Sequence, residues 1–300
     1  MILVVGATGI LGGMITQRLL SQGKDVRVLL RHDSPAGEMA KQGMATSPRT
    51  LVDAGARPVY GDLKDRASLD RACEGVETVI TTANSAMRGG EDTVETVDRQ
   101  GNRSLIEAAR AAGARQFIFT SFLGADPNSP VPLFRAKAET EALLGQSGMP
   151  YTVLAPNFFM ENWIGMVVGL PLQAHQPVTL VGEGRRLHSL ISVGDVAAFA
   201  VAAVGHPDAA RQRLALGGPA PLSWRGIVGT FGRVLGQELP LQLVAPGEPI
   251  PGLPEIVPGV LAAMETYDSP IPMEETARLF GVQQAPLESV VRGMLGIPAA

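Results

Sequence analysis

The constraint that most limits this chain is a strand-like run closed by three glycines. Ile2 to Val5 is apolar and of strand length, and Gly6, Gly9 and Gly12 follow at three-residue spacing. A helix pattern starts at once, with Ile10, Leu11, Met14, Ile15 and Leu19 expected on one face and Gly23 at its end. Strand, glycine turn and helix in that order give such a motif its meaning. Gly6 permits the sharp turn off the strand, because it carries no Cβ. Gly9 lets a pyrophosphate approach the backbone, and Gly12 lets the helix pack closely on the strand. The amides and positive dipole end of the helix attract the phosphates. An ordinary tight turn is the bland alternative. Thr8, Ile10 and Leu11 complete the expected binding loop.

The rest of the first half repeats the strand–helix rhythm. Val26–Leu30, Arg57–Tyr60, Thr78–Thr82, Gln116–Thr120 and Tyr151–Ala155 read as further strands, the last stopped by Pro156. Helices are expected at 67–73, 91–112 and 132–145. Residues 34–54 read as a loop and a helix broken by Gly37, Gly43 and Pro48. A βαβ series of this length implies right-handed crossovers and a parallel sheet. After Pro156 the rhythm is lost. Residues 157–186 read as irregular, Leu187–Val193 as a strand, and Asp195 as the cap of a helix over 196–204. The expected division is a binding domain over 1–156 with about 187–205, and a smaller substrate or lid domain over about 157–186 and 206–300.

Several residues stand where such a sheet places cofactor contacts. Arg31 follows the second strand, where NAD-binding chains carry a carboxylate for the ribose. A guanidinium there suits a 2′-phosphate, which favours NADP(H) over NAD(H), although NAD(H) stays possible. A solvated arginine is the alternative. Asp62 and Leu63 follow the third strand and are expected to flank the adenine, or else to form a turn and cap. Thr82, Ala83 and Asn84 close the fourth strand at the sheet's carboxyl edge.

Composition narrows the partners. A net charge of −4 argues against a nucleic-acid surface. The single cysteine, Cys73, excludes an internal disulfide framework, and the four histidines lack metal spacing, so no metal is expected. The apolar stretches near 142–178 are broken by Gly, Pro, Gln and Asn, so no membrane span is expected. With the first strand starting at Ile2, no signal peptide is expected and the chain is read as cytoplasmic.

These pieces together resemble the NmrA-like branch of the atypical short-chain dehydrogenases/reductases. The resemblance rests on Gly-Ala-Thr-Gly-Ile-Leu-Gly at 6–12, Arg31, Gly-Asp-Leu at 61–63, the helix carrying Lys137 and Glu141, and Tyr-Thr-Val-Leu-Ala-Pro-Asn-Phe-Phe-Met-Glu-Asn at 151–162. The Val-Gly-Asp-Val step at 193–196 agrees, and the match covers roughly residues 1–205. It implies an α/β fold: a Rossmann-type, doubly wound parallel sheet with a smaller C-terminal α+β substrate domain. It implies NADP(H) and a small-molecule substrate such as a quinone, a triphenylmethane dye or a plant phenylpropanoid. It equally admits a non-catalytic NADP(H) sensor acting on a protein partner, as a monomer or a homodimer.

The superfamily's usual Ser–Tyr–Lys set is incomplete. Lys137 and Ser121 stand at the matching positions, so both are expected in the catalytic site, with Lys137 also holding the cofactor. The residues four and three before Lys137 are Leu133 and Phe134, which cannot donate a proton. That counts against simple ketone reduction and against a sugar-nucleotide epimerase or dehydratase. A conjugated acceptor tolerates the loss better, and Lys137 could itself donate if burial depressed its pKa. The alternatives are an exposed Lys137 paired with Glu141 at i+4, and a Ser121 that is only a turn hydroxyl. By the same resemblance Pro156, Asn157 and Phe158 lie over the nicotinamide. Phe158, Phe159, Trp163 and Met166 are alternatively core residues.

Overall fold

The computed structural model describes residues 1–32, 45–86, 88–250, 252–254 and 256–298. It divides into two compact units, Met1–Pro156 with Val196–Ala215, and Asn157–Asp195 with Leu216–Ala300. Residues 187–195 thus fall in the second unit and 206–215 in the first.

The first unit is built on a seven-stranded sheet: β1 Ile2–Val5, β2 Val26–Leu30, β3 Arg57–Tyr60, β4 Thr78–Thr81, β5 Gln116–Thr120, β6 Tyr151–Pro156 and, later in the chain, β8 Gln212–Leu216. Their spatial order is β3-β2-β1-β4-β5-β6-β8. The ladders joining β1 to β6 are all parallel. This is the doubly wound Rossmann order, and its direction reverses between β1 and β4. Strands covered on both faces read as apolar runs, and β1, β4 and β5 are buried throughout. Leu3, Val79, Leu105, Phe117, Phe119 and Val153 pack in one continuous core.

The helices of this unit before Pro156 are α1 Ile10–Ser21, α2 Pro48–Asp53, α3 Arg66–Cys73, α4 Asn102–Ala111 and α5 Pro132–Gln146. The expected core face of α1 is corrected. Gly12, Gly13, Ile15, Thr16 and Leu19 are buried, whereas Ile10 and Met14 are exposed. The glycines pull the helix so close that the buried stripe runs through them. The expected single helix over 91–112 is also corrected. Val94–Gly101 is wound as a π-helix, capped by reciprocal bonds between Thr93 and Thr96, and α4 continues it. Of the expected loop and helix at 34–54, the helical part is α2. Residues 33–44 lie outside the described residues.

The second unit carries α6 Met160–Ile164, a π-turn at Gly165–Gly169, α7 Leu170–Gln173, and a two-stranded parallel sheet of β7 Val178–Val181 and β9 Leu241–Val244. Residues 157–186 are therefore ordered elements. The glycines and prolines that suggested a loop separate short pieces. The strand expected at 187–193 does not form; His188 and Ile191 make only isolated bridges. Helix α8 runs Val193–Ala202, so Asp195 lies in its first turn and is not its cap. Both Asp195 carboxylate oxygens accept from Ala285 N at 3.1 Å, and Ser192 Oγ accepts from Asp195 N at 2.9 Å. Helices α9 Trp224–Leu235, α10 Ile256–Met264, α11 Glu274–Leu279 and α12 Leu287–Met294 complete the chain. Among the described residues no helix is long and apolar enough to cross a membrane.

Candidate cofactor and active site

The glycine turn is built as its spacing requires. Gly6 has φ +85°, and a Cβ there would stand 2.6 Å from Thr82 Oγ1 and 2.9 Å from Ala83 N. A Cβ at Gly12 would stand 2.2 Å from Gly6 O, so only glycine lets α1 start against the turn. Gly9 is the N-cap of α1. No side chain caps the helix, and no acidic residue sits in its first turn. That end is left with the positive dipole and the amides of an anion site.

A cleft opens at the carboxyl ends of the strands on either side of the β1/β4 reversal. Val5, Gly6, Thr8, Leu29, Arg31, Gly61, Asp62, Leu63, Ala83, Asn84, Arg88, Asp92 and Val97 line it. Seven of these, Gly6, Thr8, Arg31, Asp62, Leu63, Ala83 and Asn84, are expected from the sequence. Gly9, Ile10, Leu11 and Gly12 stand beside it at the start of α1, and Thr82 Oγ1 donates to Gly6 O at 3.4 Å.

The rim of the cleft is a charge cluster that the sequence hides. Arg31 Nη1 donates to Asp92 Oδ2 at 2.6 Å and stands 3.8 Å from Asp62. Arg31 is therefore engaged, not simply solvated. Lys64 Nζ donates to Asp92 Oδ1 at 2.7 Å, and Arg88 stands 3.9 Å from Asp92. Burial would raise the Asp92 pKa, but hydrogen bonds from Lys64 and Arg31 outweigh it and hold the carboxyl below its ordinary range. Burial lowers the Arg88 pKa, and the neighbouring Arg31 charge adds to this. Three cations, Arg31, Lys64 and Arg88, gather around Asp62 and Asp92 at the rim, and Glu91 also acts on Lys64. Arg88 was not placed from sequence, and Asp92 was expected inside the helix over 91–112, whereas it lies in the turn before the π-helix starts at Val94. Asp92 is fixed there by a bridge to Gly89.

Lys137 lies on α5 and is 6% exposed. Its Nζ donates to Thr120 O at 2.9 Å and stands 4.7 Å from the centre of the Phe119 ring. The exposed, Glu141-paired alternative does not form. Glu141 accepts a short hydrogen bond from Ser121 Oγ and is bound by Arg213 Nε at 2.8 Å. Burial lowers the Lys137 pKa, with Asp98 and Glu141 opposing the fall. Leu133 takes the place of the missing phenol, and next to it Phe134 packs against Phe122 with ring centres 4.7 Å apart.

Pro156 ends β6, and the other residues expected over the nicotinamide, Asn157 and Phe158, belong to the second unit. There Asn157 Nδ2 donates to Ser269 Oγ at 3.2 Å, and Ser269 Oγ is 2.8 Å from His188 Nδ1. Phe158 meets Trp163 edge-on at 4.8 Å, and both pack with Met166 on that unit's core, in line with the bland reading of these residues. Burial raises the Glu161 pKa, and both its oxygens accept from Val193 N.

Comparison with known proteins follows the same lines. The NmrA-like family model matches residues 1–278. The photosystem II assembly factor Ycf39 of Cyanophora paradoxa is 34% identical over 198 residues, covering 66% of this chain and 57% of that protein. The chain thus spans less than two thirds of the length of the assembly factors it matches first. An NAD(P)H azoreductase of Xenophilus azovorans is 31% identical over 246 residues, covering 82% of this chain and 77% of the enzyme. Among solved structures, the NADPH complex of an Escherichia coli quinone oxidoreductase superposes with a TM-score of 0.77 at 23% identity, over 98% of this chain and all of the other. At that identity the likeness concerns the fold.

Proposed function

The chain belongs to the NmrA-like family, and from that premise we propose that it is an NADPH-dependent reductase of small quinone-like or other conjugated acceptors. The observation that carries the reading is Lys137. An ammonium held almost wholly out of water on one hydrogen bond is costly to the fold, and such groups concentrate at functional sites.

The residues of the cleft suit the cofactor. The start of α1 and the turn at Gly6–Gly12 would hold the pyrophosphate, where a Cβ at either end would fill the cradle. The Arg31 guanidinium at the end of β2, with Lys64 and Arg88 beside it, suits a 2′-phosphate better than a bare ribose. When bound, the reduced nicotinamide supplies a hydride. Lys137 would orient the nicotinamide ribose. Leu133 and Phe134 offer no proton where a phenol would act, which favours acceptors that delocalise the incoming charge. The azoreductase among the similar proteins supports that acceptor class. Replacing Lys137 with Ala is expected to lower turnover about 10²–10⁴-fold, with NADPH binding largely kept. Turnover equal to that of the unaltered chain would remove Lys137 from the mechanism.

A second reading is a non-catalytic NADP(H) sensor that binds a protein partner. The apolar Leu133–Phe134 step in place of a tyrosine favours it, as does the similarity to assembly factors. By linkage such a partner would change cofactor affinity by the factor with which cofactor changes partner affinity. A capture experiment giving the same partners with NADP+, with NADPH and without either would exclude it.

A further inference from the structure

We propose that Asp98 is the buried counter-charge and positioning residue of Lys137. The inference rests on the reading of Lys137 given above and deepens it. Asp98 sits in the π-helix Val94–Gly101 and is 1% exposed. Its Oδ2 accepts from Ser85 N at 2.9 Å and from Ser85 Oγ at 2.6 Å. Its Oδ1 is buried and has no hydrogen-bond partner. The backbone around it is tied down as well. Asn102 Nδ2 donates to Asp98 O at 3.0 Å, and Thr140 Oγ1, one turn from Lys137 on α5, reaches the same oxygen at 3.4 Å.

A buried carboxylate with half its acceptor capacity unused is as costly as a buried ammonium, unless the two compensate. The charges facing Lys137 are Asp98 from the π-helix and Glu141 from its own helix. Glu141 is already balanced by Arg213 and by the Ser121 hydroxyl. The remaining groups on Lys137, the Thr120 carbonyl and the Phe119 ring of β5, are neutral. Arg88 also acts on Asp98, but among the described residues no cation forms an ion pair or hydrogen bond with it, so Asp98 and Lys137 are the opposite buried charges left to balance each other. The π-winding gives the arrangement its means, because one extra residue in the turn changes which side chains face inward, and such turns recur at functional sites. Asp98 acts through Lys137. It keeps the ammonium charged and close to Thr120 O without itself reaching the reacting atoms.

The chain has four lysines, Lys24, Lys41, Lys64 and Lys137, so ¹³Cε-labelled lysine gives a readable NMR titration with no turnover required. The Lys137 signal is identified by its loss in Lys137→Met. Asp98→Asn is expected to move the Lys137 midpoint down by about one pH unit or more, the effect of losing an opposite charge at close range, and to leave Lys24 and Lys41 in place. An unchanged Lys137 midpoint would overturn the proposal. Where Asp98→Asn does not fold, the double variant Asp98→Asn/Lys137→Met is expected to recover the fold, since neither charge is then left alone. Failure of the double variant to recover it would also overturn the proposal. A chain that titrates as expected but reduces no acceptor would refute the reductase reading and leave the pairing intact.

Discussion

Arg31 makes two contacts in the cleft rim, a hydrogen bond to Asp92 and a longer approach to Asp62. Its replacement by Ala is expected to weaken NADPH binding by about 1.5–3 kcal/mol, the size of a charge-assisted hydrogen bond, with little change for NADH. Calorimetric titration of both cofactors checks this, and equal losses would take discrimination away from Arg31. The place of Arg31 in the cleft was legible because it stands where a strand ends. Its partners were not, since Asp92 was read as part of a helix, Arg88 lies just before it, and only the fold brings them near. Lys137 was legible from its helix position, but its burial was not, because a lysine four residues before a glutamate reads as a surface pair. The pKa of Lys137 is lowered by burial. If the charged form is needed, turnover is lost as pH rises through a value below the ordinary 10.5, and a pH profile at saturating NADPH measures that limb. Cys73 is fully buried, and burial pushes its thiol up to about 12. Thiol reagents at neutral pH are expected to leave the folded chain unlabelled and to modify one site after denaturation.

At the scale of elements, the turn joining β1 to α1 shows how one missing Cβ fixes a contact. Gly12→Ala would place a methyl 2.2 Å from Gly6 O and force the helix away from the strand. A cost of about 1–3 kcal/mol in stability is expected, together with a larger loss of cofactor affinity, because the same shift displaces the amides of α1. A variant that melts and binds like the parent would contradict this account of the turn. The first six strands of the sheet were readable to within a residue, helped at β1, β4 and β5 by burial that leaves apolar runs, whereas β8, with Gln212 and Arg213 exposed, was missed. The second unit was misread for the converse reason. Its elements between 157 and 181 are only four or five residues long, and glycine and proline fall at their junctions, so no window holds a full period. The π-helix was invisible for a related reason: its apolar spacing matches an ordinary helix closely enough to be read as one.

For the molecule as a whole, each unit has its own core, and the cofactor cleft lies in the first. Phe117 lies at the centre of that core, fully buried. Phe117→Ala is expected to cost about 3–5 kcal/mol, read by denaturant unfolding. The proposed chemistry is hydride transfer to acceptors that spread charge, served by a buried lysine without a tyrosine partner. The most direct test is the loss of reduced-nicotinamide absorbance when the protein and NADPH are mixed with a panel of quinones, azo dyes and conjugated ketones. Oxidation is expected with one conjugated class, faster with NADPH than with NADH and lost in Lys137→Ala. Saturable NADPH binding with no acceptor consumed would contradict it and make the sensor reading the better one.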